Sequence, residues 1–418
     1  MKLATRVFLL ATGVLLLAHY VPAGYWLVTA RAHRPPIVYY SCIEKRFLLL
    51  RPEPGGVRRT DPAGNLYERE HFEQLLPLDN YLQLYKDNRM PAEIDGVTIT
   101  PEKLRRERLN ARFKPEMLDS PTVALRPLFE AESGRVRLEM PTDFMRLGRT
   151  IEFIDARSNR VLPEKSAAFQ RAFAAAGFAF PVRLTGSNPT TMKPYDEGCY
   201  LVDAHGEFFR LRQVRGAPEL TRLTNHIPPE ERPRWAQLQP RYIHVQEQDN
   251  RELRAIIVGA DHSVHLLVGP NWRLVKLPLE RFDPANMQLS LRGDLLNRLV
   301  TVTSAEYVEA VALTRDYVFL DRYTEHLPAW KDRPEGRLAA TLFPFTFQLE
   351  RTTSGYLGFH FQPGNRFVWA LNLALLLGLT MWWRLGKRPL GDRWPELVAI
   401  GVGGIFGIMV VTLLPRTD

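Results

Sequence analysis

Residues 199–212 read CYLVDAHGEFFRLR, and the same plan returns at 255–268 (AIIVGADHSVHLLV), 310–323 (AVALTRDYVFLDRY) and 347–361 (FQLERTTSGYLGFHF). Each is an apolar run, a tight polar turn and a second apolar run, rich in β-branched and aromatic residues, so each predicts a β-hairpin. The hairpins start about 35 to 60 residues apart, a spacing that suits the blades of a β-propeller or another β repeat. One hairpin cannot bury its own apolar face. Stacking around a common core is the expected solution, as a propeller first and a sandwich second.

Working outward, PEKSAAFQRAFAAAGF (163–178) opens on a helix-compatible proline, spaces Phe169 and Phe173 by one turn and stops at Gly177, predicting one packed helix. PPIVYYSCIEKRFLLL (35–50) predicts two short strands broken around Cys42 to Lys45. In EREHFEQLLPLDNYLQLY (68–85), Phe72, Leu75 and Leu76 lie at helical spacing. The charged stretch PEKLRRERLNARFKPEML (101–118) reads as a solvated helix or linker.

The ends are different. Val7 to Ala30 carries no charge and is long enough to span a bilayer. Its apolar character resumes through Tyr25, Trp26 and Val28, which favours an uncleaved anchor over a signal peptide. Phe367–Trp383 and Leu397–Pro415 are likewise uncharged, and three transmembrane helices are expected. The loop between the last two carries Arg384, Lys387, Arg388 and Arg393, and short basic loops stay in the cytoplasm. Three spans then leave Lys2 and Arg6 inside, with the middle of the chain and the C-terminal tail outside. Along the third span Ala399, Gly403 and Gly407 recur every fourth residue, a face that another helix of this chain or of a partner can approach closely. The expected organisation is an anchor over 1–30, an α+β region over 31–150, an extracytoplasmic β-repeat domain over 151–366, and two spans with a basic loop over 367–418. The fold class is therefore mainly β with minor α, plus three membrane helices.

A net charge of +9 is partly carried by the ends and is otherwise spread thinly, unlike the clustered basic surface of a nucleic-acid binder, so no nucleic-acid partner is expected. Cys42 and Cys199 are too few for a disulfide scaffold; two buried thiols are the simpler reading, a single disulfide the other. The chain has no G-x-x-x-x-G-K-[ST], H-E-x-x-H, G-x-S-x-G or G-x-G-x-x-G. Asp261, His262 and His265 on one hairpin, with Asp203 and His205 on the preceding one, are metal-ligand types, but turn-capping aspartates and half-exposed histidines explain them more simply. No cofactor and no metal are expected. The loop SNPTTMKPYDEG (187–198) gathers Asn188, Thr190, Thr191, Lys193, Asp196 and Glu197, a density of polar groups that suits a binding site as well as an ordered connection.

The strings FIDARSNRVLPEKSAAFQRAFAAAGFAFP (153–181), GSNPTTMKPYDEGCYLVDAHGEFFRL (186–211) and LVKLPLERFDP (274–284) resemble an uncharacterised family of bacterial membrane proteins, often encoded beside ABC-type transporter components. That resemblance implies a multi-pass protein of the bacterial inner membrane with its large domain outside, an ABC-type permease and ATPase as partners, and no catalytic residues. The leading expectation is a non-catalytic accessory or scaffold subunit of a transport complex. An envelope ligand-binding or sensor protein is the alternative, and a membrane-tethered enzyme the third.

Overall fold

The N-terminal apolar run, together with the residues from Leu3 to Arg6, forms helix α1 (Leu3–Thr29), whose buried residues Arg6, Leu10, Val14, Ala18 and Pro22 recur every fourth position along one stripe. The computed structural model describes residues 3–29, 34–53, 55–118, 124–135, 137–351, 357–386 and 391–415. The chain divides into a helical unit (Met1–Pro35, Pro52–Val57, His326–Asp418) and a β unit (Pro36–Arg51, Arg58–Glu325).

The chain after α1 forms the sheet β1 (Ile37–Tyr40), β2 (Phe47–Glu53), β3 (Gly56–Thr60), with Ile37 opposite Leu50 and Tyr40 opposite Phe47 around the expected turn. Helices α2 (Arg69–Leu75) and α3 (Tyr81–Lys86), the hairpin β4 (Glu93–Ile94) and β5 (Val97–Thr98), and α4 (Pro101–Arg106) follow. Phe72, Leu75 and Leu76 pack around Leu48, as their spacing predicts. The stretch 101–118 corrects the reading as a wet helix or linker: after α4 it holds strand β6 (Leu109–Phe113), then α5 (Pro115–Leu118). In LNARF, Leu109, Ala111 and Phe113 are buried and the polar residues between them exposed, the two-residue period of a strand hidden in a charged run.

A three-stranded sheet, β7 (Leu125–Pro127), β8 (Asp143–Leu147), β9 (Ile151–Asp155), precedes helix α6 (Pro163–Ala175), which buries Phe169 and Phe173. Two four-stranded antiparallel sheets then run in chain order: β10 (Leu184–Gly186), β11 (Cys199–Val202), β12 (Phe208–Val214) and β13 (Ala217–Arg222); then, after α7 (Arg232–Gln237), β14 (Pro240–Val245), β15 (Leu253–Gly259), β16 (Val264–Val268) and β17 (Arg273–Lys276). The last sheet joins β18 (Gln288–Gly293), β19 (Asn297–Thr303), β20 (Tyr307–Thr314) and β21 (Phe319–His326) to β6, in the order β21-β20-β19-β18-β6. The first three repeat hairpins are thus the inner pairs β11-β12 and β15-β16 and the outer pair β20-β21, and the architecture is mainly β. None of these sheets closes on itself.

Successive sheets share their cores. In β11, Cys199 and Leu201 pack with Phe153, Phe169 and Phe173, whereas Tyr200 and Val202 pack with Ile243, Ile257 and Leu274. All four residues are buried, which is why the repeats read as continuous apolar runs; burying each large side chain stabilises by about 1.5–3 kcal/mol. Strands β15 and β16 pack on β6, β18, β19 and β20 through Ile256, Leu266, Phe113, Leu289, Val300 and Val311.

The fourth repeat is not a further sheet of this series. It forms a two-stranded hairpin, β22 (Phe345–Arg351) and β23 (Leu357–Pro363), in the helical unit with α8 (Pro334–Leu342). The division between units therefore falls at 325/326 and not at the expected 366/367, because Phe345 and Phe347 pack with Phe406, Val21 and Tyr25 of the helices.

Two described helices are long and apolar enough to cross a membrane, α1 and α9 (Phe367–Leu385). The expected third span is instead two short helices, α10 (Trp394–Gly403) and α11 (Ile405–Leu413), interrupted at Gly404, where φ is 52° and ψ −124°. A Cβ on Gly407 would lie 2.2 Å from the Ala399 carbonyl oxygen. In one continuous helix eight residues separate the two by about 12 Å along the axis, so α11 bends back against α10. Asn372 of α9 holds the break: its Nδ2 donates to the Gly401 carbonyl at 3.2 Å, and its Oδ1 would be 2.1 Å from a Cβ at Gly404. Gly404→Ala therefore meets both a strained backbone and an occupied site, and should lower stability by about 1–3 kcal/mol in thermal unfolding of the detergent-solubilised protein. An unchanged transition would contradict the role given to the break.

Candidate functional site

The loop 187–198 lies between β10 and β11, and three of its charges are buried: Lys193, Asp196 and Glu197. Lys193 Nζ donates to Asp196 Oδ1 at 2.5 Å, to Glu247 Oε1 at 2.8 Å and to the Asn188 carbonyl at 2.9 Å. Asn188 Nδ2 donates to Glu247 Oε2 at 2.8 Å, and the Glu197 backbone N–H to Glu247 Oε1 at 2.7 Å. Glu197 Oε1 accepts from the Tyr200 hydroxyl at 2.8 Å, from Arg210 at 3.2 Å and from Arg254. Arg210 and Arg254 both stack over Trp272.

Three cations, Lys193, Arg210 and Arg254, meet three anions, Asp196, Glu197 and Glu247, so the buried charges balance. Burial pushes the Asp196 and Glu247 carboxyls up, and Lys193 pulls both back. Burial also pushes the Tyr195 phenol up to about 12. Because Glu247 and Arg254 belong to the β14–β17 sheet and its loop, the network ties that sheet to the β10–β13 sheet. Its chemistry is that of a polar staple, with every charge spent on a neighbour.

Four of the six residues singled out in this loop meet in the network; Thr190 and Thr191 do not. Thr190 Oγ1 accepts from the Met192 backbone N–H at 3.1 Å, a local turn. Glu247, Arg210 and Arg254 were not among the sequence candidates. Glu247 sits in QEQDN just past an apolar strand, and only a search for opposite charges at the same end of neighbouring repeats would have paired it with Lys193.

The metal-ligand types are used in turns. Asp203 Oδ1 accepts the N–H groups of His205 and Glu207, both at 2.9 Å, and Asp261 Oδ1 accepts from Ser263. His262 takes a positive φ of 65° in its turn, and burial lowers the His265 pKa. Among the described residues no group of three or more His, Cys, Asp or Glu could hold a metal ion. Cys42 and Cys199 are buried free thiols, each pushed up to about 12 by burial.

In the helical unit, Gly403 faces α1: a Cβ there would lie 3.1 Å from Val14 Cγ1, while Gly407 meets Ala399. The small-residue face is therefore used within the chain. Arg6 is buried, its Nε 3.0 Å from Glu396 Oε1, so it is half of an ion pair and not a free charge flanking α1. Arg384 and Arg393 lie on either side of the α9–α10 connection, with Arg393 over the Trp383 ring; Lys2, Lys387 and Arg388 lie outside the described residues.

A cavity of about 500 Å³ opens at the loop ends of the β unit between Arg106, Glu231, Glu252, Arg273, Arg315 and Tyr317. Its ionic groups are largely paired: Glu252 with the fully buried Arg298 at 2.6 Å, and Arg315 with Glu107 at 2.5 Å.

No curated protein compared with the chain matches it. Among solved structures, the Dos1 propeller is similar at 11% identity over 46% of this chain and 46% of that one, with a TM-score of 0.24, so this chain spans about half of that one. The Cps50 (Swd1) β-propeller domain of Myceliophteria thermophila is similar at 7% identity over 72% of this chain and 89% of that one, with a TM-score of 0.23. Likenesses this low carry no argument about the fold. The profile described as Domain of unknown function (DUF4857), by contrast, matches residues 37–313, from β1 almost to the end of β20, and with well over half of its length matched the chain belongs to that family.

Proposed function

We propose that the protein is a non-catalytic, membrane-anchored scaffold subunit of an ABC-type transport complex, presenting its β unit on the outer side of a bacterial inner membrane. The observation that carries this reading is the apolar surface of the helical unit. Phe8, Leu16, Leu27, Trp369, Leu377 and Leu385 are all exposed on α1 and α9, whereas the polar side chains Arg6, Glu396 and Asn372 are turned inward. An apolar circumference around an inward polar pair is what hydrocarbon selects. The charged loop of the β unit spends its charges internally, which favours a stable presenting body over a reactive site. The partner class, a permease with its ATPase, comes from the family resemblance and the missing phosphate-binding loop.

In this arrangement α1 and α9 cross the bilayer, and α10 with α11 enter from the cytoplasmic side as a helical hairpin and turn back. Thiols introduced at Gly391 and at Leu414 should then both be shielded from a membrane-impermeant reagent applied outside intact cells. Labelling of the Gly391 thiol from outside would overturn the topology, and labelling of the Leu414 thiol alone would restore three full spans. Affinity purification of the full chain from native membranes should recover a permease and an ATPase at near-equal amounts; recovery of the chain alone would sink the scaffold role. The 500 Å³ cleft favours a second reading, a ligand-binding or sensor protein, which saturable ligand binding without any co-purifying partner would support.

A further inference from the structure

A smaller cavity, about 70 Å³, lies in the β unit where the turn before α3 and the residue before β6 meet the β18–β19 turn. Its charged walls are Asp79, Arg108, Arg292 and Asp294, with Asn297, Tyr40 and Tyr81 beside them. Two of these charges are already engaged: Asp294 Oδ1 accepts the backbone N–H groups of Leu296 at 2.8 Å and Asn297 at 2.7 Å, and Arg292 donates to the Val38 carbonyl and stacks over Tyr39 at 4.7 Å. The others are not. Among the described residues the carboxylate of Asp79 and the guanidinium of Arg108 make no hydrogen bond, and Asn297, 8% exposed, has an Nδ2 with no acceptor. Asp79 and Arg108 both keep accessible surface and both line the cavity.

We propose that this cavity binds a small zwitterion of the α-amino-acid class, its ammonium on Asp79 and its carboxylate on Arg108 and Asn297 Nδ2. An ion of one sign would meet a like charge on two of the four walls, whereas a molecule carrying both signs offers hydrogen-bond partners to Asp79 and Arg108 together. A buried amide donor without an acceptor costs about 1–3 kcal/mol, a cost that a ligand carboxylate removes. The size restricts the ligand: at about 30 Å³ per water in the liquid, 70 Å³ has room for roughly two waters, so only the smallest amino acids, glycine first, are candidates. Removal from bulk water pushes the Asp79 carboxyl up to about 6, with Arg292 and Arg108 pulling it back and Asp294 adding to the rise. Below that pH Asp79 becomes neutral and the ammonium loses its counter-charge, so affinity should fall as pH drops from 7 to 5. The charged groups facing Asp79 across the cavity are Arg108, Arg292 and Asp294, with the phenols of Tyr40 and Tyr81.

The test is isothermal titration of the detergent-solubilised full chain with glycine and L-alanine, set against methylammonium and acetate as half-ligands. Glycine should bind saturably and at least tenfold more tightly than either half-ligand. Asp79→Asn and Arg108→Met, which remove no internal hydrogen bond, should each weaken it at least tenfold while leaving the circular dichroism spectrum unchanged. Absence of saturable glycine and alanine binding to the folded protein would mean that the cavity holds water only and would overturn the proposal. So would acetate binding as tightly as glycine, or glycine binding that is indifferent to Asp79→Asn. Because the readout is binding to the isolated chain, failure here leaves the scaffold role standing, and loss of the transport partner leaves this site standing.

Discussion

Arg6→Met alone should destabilise the helical unit by about 3–5 kcal/mol, and Arg6→Met combined with Glu396→Met should recover most of that loss. The side chains are 8% and 2% exposed, and their atoms are 3.0 Å apart in otherwise apolar surroundings. Removing the guanidinium leaves a buried carboxylate whose other oxygen, Oε2, already has no hydrogen-bond partner among the described residues. Replacing both charges by apolar side chains of similar volume removes the desolvation penalty along with the attraction, so the double change is close to neutral. Thermal unfolding of the parent, Arg6→Met, Glu396→Met and the double variant in detergent measures the cycle, and an Arg6→Met cost of less than about 1 kcal/mol would show that the pair is hydrated and not buried.

The second large effect is expected in the β unit. Lys193→Met strands Asp196 and Glu247 at 5% and 7% exposure without their shared cation, and should cost about 3–5 kcal/mol. Thr190→Ala and Thr191→Ala, in the same loop but outside the network, should stay within about 0.5 kcal/mol. This contrast separates a polar staple from a ligand-binding loop. A binding loop would instead tolerate Lys193→Met as well, leaving all three changes near neutral in stability. Chemical unfolding followed by the β signal in circular dichroism reads all three.

The first three repeat hairpins were legible because strands buried on both faces write themselves as apolar runs, as in Cys199 to Val202, with a polar turn between them. The helix carrying Phe169 and Phe173 was legible because a 3.6-residue period survives any tertiary context. Strand β6 was not: three apolar residues alternating inside RERLNARFKPE look like a charged helix face until β18 supplies its hydrogen bonds, Leu109 opposite Gly293 and Phe113 opposite Leu289. The fourth hairpin had the pattern of the others but not their neighbours, and pattern alone cannot say which core a hairpin joins.

For the site, the sequence pointed to the loop 187–198 and left both a binding site and an ordered connection open. Local composition marks where polar groups gather; whether they face a ligand or one another depends on Glu247 and Arg254, more than fifty positions away, and no local spacing encodes that. The helical unit makes the same division. Composition alone determined that α1 and α9 are apolar enough to span, since hydropathy is a sum over neighbouring residues. That Arg6 finds Glu396, that Gly404 breaks an uncharged run and that Asn372 fills the break were decided only in the tertiary structure, because each depends on a contact between segments that one-dimensional periodicity does not carry.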